Sequence, residues 1–191
     1  MISKNIFDYI LALILLIFLV GLIVLLIIIS SINTNEFGVF TQKRVGKNGK
    51  IFKIYKIRTI KGISKSTITT NQHQITKIGK ILRDYKLDEL PQLFNILKGE
   101  MSFVGPRPDV IGYADKLIGK DRIMLSVKPG ITGPAQLKYR NEEEILSKVK
   151  DPISYNDEII WPDKVKINVE YVENWSFKQD LIYMFQTLFK K

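Results

Sequence analysis

The sequence predicts an α+β, mostly helical protein with a membrane-embedded N-terminal helix, a small β-hairpin and a compact domain with interfacial amphipathic helices. Residues 10–29 form an uninterrupted apolar run, and two strand-like segments flank an Asn-Gly pair. The later segments repeat their apolar residues at helical spacing. We expect a membrane helix over residues 1–33 and a second domain over residues 34–191.

The apolar run near the N-terminus predicts a retained membrane segment. It contains 20 residues without a polar side chain. At about 1.5 Å per helical residue it is ~30 Å long, which matches the hydrocarbon core of a bilayer. A cleaved signal peptide has a shorter apolar core followed by a small-residue cleavage site, and none follows Ser30 and Ser31.

The net charge of +10 is unevenly distributed along the chain. Residues 41–86 contain 13 Lys and Arg but one acid, whereas residues 87–191 contain 15 basic and 16 acidic residues. The surplus indicates a polybasic surface resting on anionic lipid. The alternative is that part of it also receives an anionic substrate. Positive residues beside a membrane segment place that flank in the cytoplasm, so we expect the domain to face the cytosol.

The segments after the membrane helix predict a hairpin, a loop and two helices. Strands at residues 39–45 and 51–59 flank the turn Lys47-Asn48-Gly49, where Asn and Gly tolerate positive φ. Residues 61–74 are predicted to be a mobile loop with His73 on its surface. Helical spacing follows at residues 75–84 and 89–97, and Gly99 is a natural C-terminal cap.

The C-terminal half predicts irregular backbone and two further helices. Residues 127–134 are rich in turn residues, and residues 141–151 suggest a helix with an acidic start. Apolar residues at helical spacing in residues 176–190 predict either an amphipathic core helix or an interfacial helix that packs on lipid.

Several kinds of chemistry are excluded by composition. The chain has no cysteine and one histidine, which argues against disulfides, thiolate metal sites and a Ser-His-Asp triad. Neither a P-loop nor a G-x-G-x-x-G fingerprint is present. No Asp-x-Asp occurs, which argues against a common arrangement of metal-dependent glycosyltransferases.

Two adjacent acids, Asp88 and Glu89, precede the helix predicted to contain Pro91 in its first turn. Position alone indicates that Asp88 is an N-cap. The same position also suits catalysis, since a helix N-terminus favours an ionised carboxylate that can attack phosphorus. Glu89 could hold Mg²⁺, which prefers one or two carboxylates together with phosphate oxygens.

Four arginines are candidates for contact with an anionic substrate. Arg107 lies between two prolines, which restrict its backbone, and a guanidinium binds phosphate through two parallel hydrogen bonds. A rigid surface turn is the structural alternative for this residue. Arg58, Arg83 and Arg140 are uninformative alone, because an exposed salt bridge is the default for each.

Taken together, these segments resemble the bacterial sugar transferase family, the monotopic phosphoglycosyl transferases. The matching stretches occur in the family's order, and the segment 87–108 is the most specific of them. They are residues 40–46, 51–59, 87–108, 128–133 and 170–176.

The resemblance implies transfer of a sugar-1-phosphate from a UDP-sugar to a polyprenyl (undecaprenyl) phosphate, with release of UMP. Asp88 then matches the nucleophile that forms a covalent intermediate, and Glu89 its catalytic partner and Mg²⁺ ligand. Arg107 matches the Pro-Arg-Pro arginine of the family, while Arg58, Arg83 and Arg140 match phosphate or substrate contacts. The implied setting is the cytosolic face of the bacterial inner membrane, at the first membrane step of surface-glycan assembly.

The chain departs from the family at its membrane helix, which family members break with Ser-Pro so that it re-enters the cytosolic face. Val20-Gly21 occupies that position, and no proline occurs in residues 1–33. We still expect a re-entrant helix, with a straight span as the alternative. Inner-membrane lipid, later glycosyltransferases or a second copy of the chain are expected partners, and nucleic acid is not. A non-catalytic membrane scaffold and a membrane-tethered nucleic-acid binder are the alternative functions.

Overall fold

A computed structural model describes residues 2–62 and 75–189. The chain divides into two compact units, one comprising Met1–Lys43 and Lys53–Gly99 and the other Arg44–Phe52 and Glu100–Lys191. The predicted α+β, mostly helical fold class is confirmed. The predicted mobile loop falls largely on residues 63–74, which include His73 and lie outside the described residues.

The first unit begins with a long apolar helix, α1 (Ile2–Thr34). It is the one candidate membrane span among the described residues, and helical backbone continues through Val20 and Gly21. Most of its large apolar side chains are exposed, which suits contact with lipid. At about 1.5 Å per residue the helix is ~50 Å long, which exceeds one hydrocarbon core. The re-entrant course of this helix stays a prediction.

A β-hairpin follows, built from strand β1 (Val39–Val45) and strand β2 (Ile51–Ile57). Residues 44–52, at its turn end, belong to the second unit, and the other hairpin residues belong to the first. The turn of the hairpin is a short 3₁₀ segment, Lys47–Gly49. Asn48 and Gly49 have φ values of 58° and 79°, so the predicted positive φ at both residues is confirmed. β2 ends two residues earlier than predicted.

Two short helices complete the first unit. Helix α2 (Lys77–Asp84) begins after Thr76, whose hydroxyl accepts the Gly79 N–H. Helix α3 (Gln92–Leu97) ends before Gly99, which has a φ of 75° and donates its N–H to the Ile96 carbonyl, as predicted for a C-terminal glycine. A small core joins these elements. It consists of Leu26, Ile57 and Leu82, with Ile27, Ile78, Leu87 and Leu90 packed against it.

The second unit contains a pair of short parallel strands that the sequence did not predict. Strand β3 (Ser102–Val104) pairs with strand β4 (Gly130–Thr132). The prediction of irregular backbone over residues 127–134 was therefore wrong at β4. A Cβ at Gly130 would lie 2.1 Å from the Gly105 nitrogen, so a glycine allows these backbones to approach closely.

The rest of the second unit is largely helical. Two 3₁₀ segments, Ala114–Lys116 and Gly119–Ser126, precede β4. The helices are α4 (Pro134–Lys138), α5 (Glu142–Ser147), α6 (Pro152–Tyr155), α7 (Trp161–Glu173) and α8 (Phe177–Phe189), with a π-helical segment, Asn156–Ile160, leading into α7. Helix α8 packs against both β3 and β4. The core of this unit consists of Val45, Ala114, Met124, Leu125, Val165 and Val169.

Helix α8 buries one side chain, the carboxylate Asp180. Tyr171 and Trp175 donate hydrogen bonds to its two oxygens at 2.7 and 2.8 Å. Large apolar side chains on the rest of the helix are exposed, with Phe185 at 63 %. This pattern favours the interfacial alternative over the core helix.

Candidate active site

The two predicted acids lie together in the first unit, in a 3₁₀ turn (Leu87–Glu89) between α2 and α3. Asp88 and Glu89 are each 7 % exposed, which is unusual for carboxylates. Lys86, with a φ of 57°, turns the chain sharply after α2. The local sequence thus places both acids beneath the surface of this unit.

The prediction that Asp88 caps a helix was wrong. The chain becomes helical at Leu87, and Lys86 occupies the N-cap position without a side-chain hydrogen bond. Pro91 then precedes α3 and adopts helical φ and ψ itself. Lys86 adopts a left-handed backbone conformation, so the helical turn begins at Leu87. Asp88 is therefore a residue within that turn and does not precede it.

The pKa of Asp88 is shifted in the direction opposite to the one that a helix N-terminus would give. Burial is the largest influence and raises the pKa of its carboxyl above the ordinary 3.8. The positive charge of Lys56 opposes this shift most strongly, and those of Arg83 and Lys86 oppose it as well. The negative charge of Glu89 adds to the shift. Nearby cations favour the ionised form, but burial outweighs them.

Lys56 is a site residue that the sequence analysis missed. Its Nζ lies 2.7 Å from Oε1 of Glu89, and both side chains are largely buried. Lys56 lies on β2, where the strict alternation of buried and exposed residues breaks down at Tyr55 and Lys56. In the sequence, Lys56 follows Phe52 and Ile54 at a spacing of two, on a strand face that is otherwise apolar, and this was a weak signal that could be read.

Asn95 fixes α3 against the strand that carries Lys56. Its side chain is fully buried, donates to the Lys53 carbonyl at 2.7 Å and accepts the Tyr55 N–H at 3.1 Å. These two bonds fix the position of α3 relative to β2. Sequence reasoning missed this residue as well, because a single Asn in an apolar helix gives no pattern.

The predicted arginines of the first unit have contacts within the protein. Arg83 donates from Nε to the Thr59 hydroxyl at 2.9 Å and lies close enough to Asp88 to lower its pKa. Arg58 forms an ion pair with Glu36 at 2.9 Å. Both are held in place by these contacts, and their predicted contact with a substrate phosphate stays a prediction.

Arg107 belongs to the second unit and is exposed in the loop after β3, between the buried Pro106 and Pro108. The loop is held at its base, where the Gly130 N–H donates to the Pro106 carbonyl at 2.8 Å and the Gly105 N–H donates to the Thr132 carbonyl at 2.9 Å. These bonds fix the backbone around Arg107, whereas Arg107 itself is exposed. This arrangement suits a side chain that binds an anion.

Asp109 adjoins Arg107 in a small cleft that also includes Val45 and Met124. Burial raises the pKa of Asp109 to about 7, and the positive charges of Lys164, Arg44 and Arg107 only partly oppose it. This carboxyl therefore titrates near neutral pH. The sequence did not single it out.

Arg140 also lies in the second unit and contacts the protein itself, and its predicted contact with substrate stays a prediction. Its Nη2 donates to the Thr187 carbonyl at 2.7 Å, within the last turn of α8, where helix carbonyls lack partners in their own helix. The six predicted site residues thus divide between the units. Asp88, Glu89, Arg58 and Arg83 lie in the first, and Arg107 and Arg140 in the second.

The acid pair fits Mg²⁺ as a cation that takes few protein ligands. Among the described residues, no group of three or more His, Cys, Asp or Glu side chains is clustered. Mg²⁺ needs only one or two carboxylates when substrate phosphates supply the other oxygens. The buried, adjacent carboxylates of Asp88 and Glu89 meet that requirement.

Comparison with known proteins defines the class. Residues 1–191 match the bacterial sugar transferase family, and the chain belongs to that family.

The similar curated proteins include UDP-sugar transferases. The chain is 40 % identical over 118 residues to the sugar transferase EpsL of Bacillus subtilis (strain 168), covering 62 % of this chain and 50 % of that protein. It is 40 % identical over 126 residues to the UDP-glucose:undecaprenyl-phosphate glucose-1-phosphate transferase of Klebsiella pneumoniae, covering 64 % and 24 %. It is 36 % identical over 118 residues to the UDP-galactose-lipid carrier transferase of Erwinia amylovora, covering 62 % and 21 %. The match thus spans half or less of each of these relatives.

Proposed function

We propose that this protein transfers a sugar-1-phosphate from a UDP-sugar to undecaprenyl phosphate or a related polyprenyl phosphate, and releases UMP. The observation that carries this proposal is the buried pair of Asp88 and Glu89 beside Lys56 and Arg83, in a chain of the bacterial sugar transferase family. The names of the relatives from Klebsiella pneumoniae and Erwinia amylovora support the classes of donor and acceptor.

The chemistry begins with attack by Asp88. A carboxylate oxygen forms a bond to the sugar-bearing phosphorus of the UDP-sugar. The bond from that phosphorus to the oxygen bridging the two phosphoryl groups breaks, and UMP leaves with the bonding electrons. Phosphoryl transfer depends on in-line positioning and charge neutralisation rather than on a proton shuttle, so this step needs no histidine.

The second step regenerates the enzyme. A phosphate oxygen of the polyprenyl phosphate attacks the same phosphorus, and Asp88 leaves as a carboxylate, which yields a polyprenyl diphosphate sugar. Mg²⁺ bound at Glu89 would neutralise negative charge on the phosphoryl oxygens. Lys56 keeps Glu89 in place and favours the ionised form of Asp88. Arg107 serves as a phosphate ligand in this proposal.

The membrane location follows from the lipid acceptor. Helix α1 would anchor the protein in the bacterial inner membrane, and the basic residues at positions 41–86 would keep the remaining chain on the cytosolic side. There the basic surface would meet both anionic lipid and the phosphate of the acceptor. The proposed place of this reaction is the first membrane step in the assembly of a surface glycan.

The test is UMP release by purified protein supplied with Mg²⁺, a panel of UDP-sugars and polyprenyl phosphate. Asp88→Asn should lower the rate by at least ~10³-fold, because an amide is a poor nucleophile at phosphorus. Asp84→Asn is the matched control, since Asp84 is an exposed carboxylate paired with Lys80 on α2. Undiminished UMP release by Asp88→Asn would rule out Asp88 as the nucleophile. No UMP from any UDP-sugar would favour the scaffold alternative.

A further inference from the structure

Leu26 and Ile27 of α1 pack on the core of the first unit, and polar contacts at the end of that helix involve Arg58. Its Nη1 lies 2.9 Å from Oε2 of Glu36, and its Nε donates to the Phe37 carbonyl at 2.9 Å. The guanidinium also lies over the ring of Phe40, 5.9 Å from the ring centre. Three contacts thus hold this side chain against the segment that follows α1.

Backbone contacts reinforce the same attachment. The Ser30 hydroxyl in the last turns of α1 donates to the Arg58 carbonyl, and the Arg58 N–H donates to the Gly38 carbonyl at 2.8 Å. The Gly38 N–H in turn donates to the Ser31 hydroxyl at 2.8 Å. A Cβ at Gly38 would lie 2.1 Å from the Ile27 carbonyl oxygen, so only glycine permits this close approach to α1.

The next residue, Thr59, attaches the same strand end to α2. Its hydroxyl accepts Nε of Arg83 at 2.9 Å, and its carbonyl accepts the Thr76 N–H at 3.0 Å. A Cβ at Gly79 would lie 2.2 Å from that carbonyl oxygen, which shows how closely α2 packs on Thr59. Arg58 and Thr59 therefore connect the membrane helix on one side with the helix that leads to Asp88 on the other.

The charges around Arg58 argue for a positioning role. Glu36 lies in direct contact with the guanidinium, with its side chain 34 % exposed against 20 % for Arg58. A phosphate bound at Arg58 would lie beside the Glu36 carboxylate, and that repulsion weakens phosphate binding. A guanidinium already shared by a carboxylate and a carbonyl suits a fixed structural contact.

We propose that Arg58 and Glu36 form a clamp that fixes the end of the membrane helix to the Thr59–α2 junction and thereby positions Asp88 and Glu89. Arg58 is a positioning residue in this proposal rather than a phosphate ligand. The inference rests on the proposed function for its catalytic consequence, whereas the clamp itself rests on the contacts alone. Anchoring of the chain in the bilayer would then be linked directly to the arrangement of the acids.

Steady-state UMP release with the full chain in lipid nanodiscs tests the catalytic consequence. Arg58→Gln and Glu36→Gln should each lower kcat by about tenfold with KM for the UDP-sugar changed less than about twofold, because both loosen the same clamp. The reversed pair Glu36→Arg with Arg58→Glu should recover much of the loss seen in either reversed single variant. Lys148→Gln, which removes an exposed cation paired with Glu144 outside the basic segment, is the control and should leave both constants unchanged.

The opposite result would identify Arg58 as a phosphate ligand and overturn the clamp. In that case Arg58→Gln raises KM for the UDP-sugar or for polyprenyl phosphate, Glu36→Gln keeps wild-type kinetics, and the reversed pair recovers nothing. Arg58→Lys also distinguishes the clamp from a phosphate ligand. Lys keeps the positive charge but cannot bind Glu36 and the Phe37 carbonyl at the same time with the planar geometry of a guanidinium.

The thermal unfolding temperatures of variants test whether Arg58 and Glu36 stabilise the fold through a shared contact, independently of activity. In a cycle of Arg58→Gln, Glu36→Gln and the double variant, the double variant should unfold at nearly the same temperature as the less stable single variant. Strictly additive losses would contradict a shared contact. If Asp88→Asn shows the proposed function to be wrong, this cycle still decides whether the clamp exists.

Discussion

At the scale of single residues, the protonation of Asp88 determines whether it can attack phosphorus. Burial raises the pKa of this carboxyl, and the ammonium group of Lys56 is the largest influence that lowers it. An acid whose pKa is raised loses its ionised fraction at a higher pH than usual. Activity should therefore fall on the acid side at a pH above the ordinary range of an aspartate.

Lys56→Gln should move the acid limb of the kcat/KM profile to higher pH. Removing the ammonium group raises the pKa of Asp88 further, so a smaller fraction of the carboxyl is ionised at any pH on that limb, and the rate falls in proportion. The measurement is UMP release as a function of pH. Lys53→Gln is the control, because Lys53 is an exposed lysine on the same strand. An unchanged acid limb in Lys56→Gln would contradict the role assigned to Lys56.

Asp109→Asn should raise the thermal stability at pH 8 and leave it nearly unchanged at pH 4. The pKa of Asp109 in the folded protein is about 7, above its ordinary 3.8. The protonated carboxyl therefore makes its full contribution to the free energy of unfolding below a pH of about 3.8, and this contribution is lost as the pH rises through about 7. Thermal unfolding at both pH values checks this. A variant less stable than wild type at pH 8 would show that the ionised Asp109 stabilises the fold.

At the scale of elements, close contacts between backbones position α2 and the acids that follow it. The Gly79 backbone packs on the Thr59 carbonyl, and the first unit has a small core around Leu82. An alanine usually stabilises a helix relative to glycine by about 0.5–1 kcal/mol. At Gly79 we expect the opposite, that alanine destabilises the helix, because its Cβ would collide with the Thr59 carbonyl.

Gly79→Ala should lower the thermal stability and the activity together, because its Cβ would lie 2.2 Å from a backbone oxygen and α2 must shift. Gly21→Ala in α1 is the matched control, since a Cβ there meets nothing within 4 Å. That control should be neutral or slightly stabilising. Equal behaviour of the two variants would mean that α2 does not depend on this contact.

The sequence predicted those elements whose signals are local. The hairpin turn at Asn48-Gly49, the end of α3 at Gly99 and the apolar α1 each follow from residue type and spacing. It did not predict β3 and β4, because three-residue strands show no periodicity and depend on partners distant in the chain. The prediction that Asp88 is an N-cap was wrong for a related reason, since nothing in the sequence indicates that Lys86 adopts a positive φ.

The candidate site was predicted in part. The acids were found from their motif, and the structure places both beneath the surface of one unit. Lys56, Glu36 and Asn95 were not found, because their roles depend on groups that lie 22 to 42 positions away in sequence. Arg140 was assigned to substrate from resemblance, and that assignment stays a prediction, although its side chain also contacts the last turn of α8.

At the scale of the whole molecule, the chain combines an apolar anchor with a strongly basic segment after it. Helix α1 and the exposed apolar side chains of α8 both suit contact with lipid. The acids, the cations around them and the end of α1 belong to a single unit. In the proposed function, the lipid-anchored unit therefore also carries the nucleophile.

The most direct test of the proposed chemistry is detection of the covalent intermediate. The protein is incubated with Mg²⁺ and its UDP-sugar in the absence of polyprenyl phosphate, and its mass is then measured intact and after digestion. We predict an added sugar phosphate on the peptide that contains Asp88, lost when polyprenyl phosphate is supplied and absent in Asp88→Asn. Turnover to product with no such adduct on rapid quenching, or an adduct on another residue, would contradict the account.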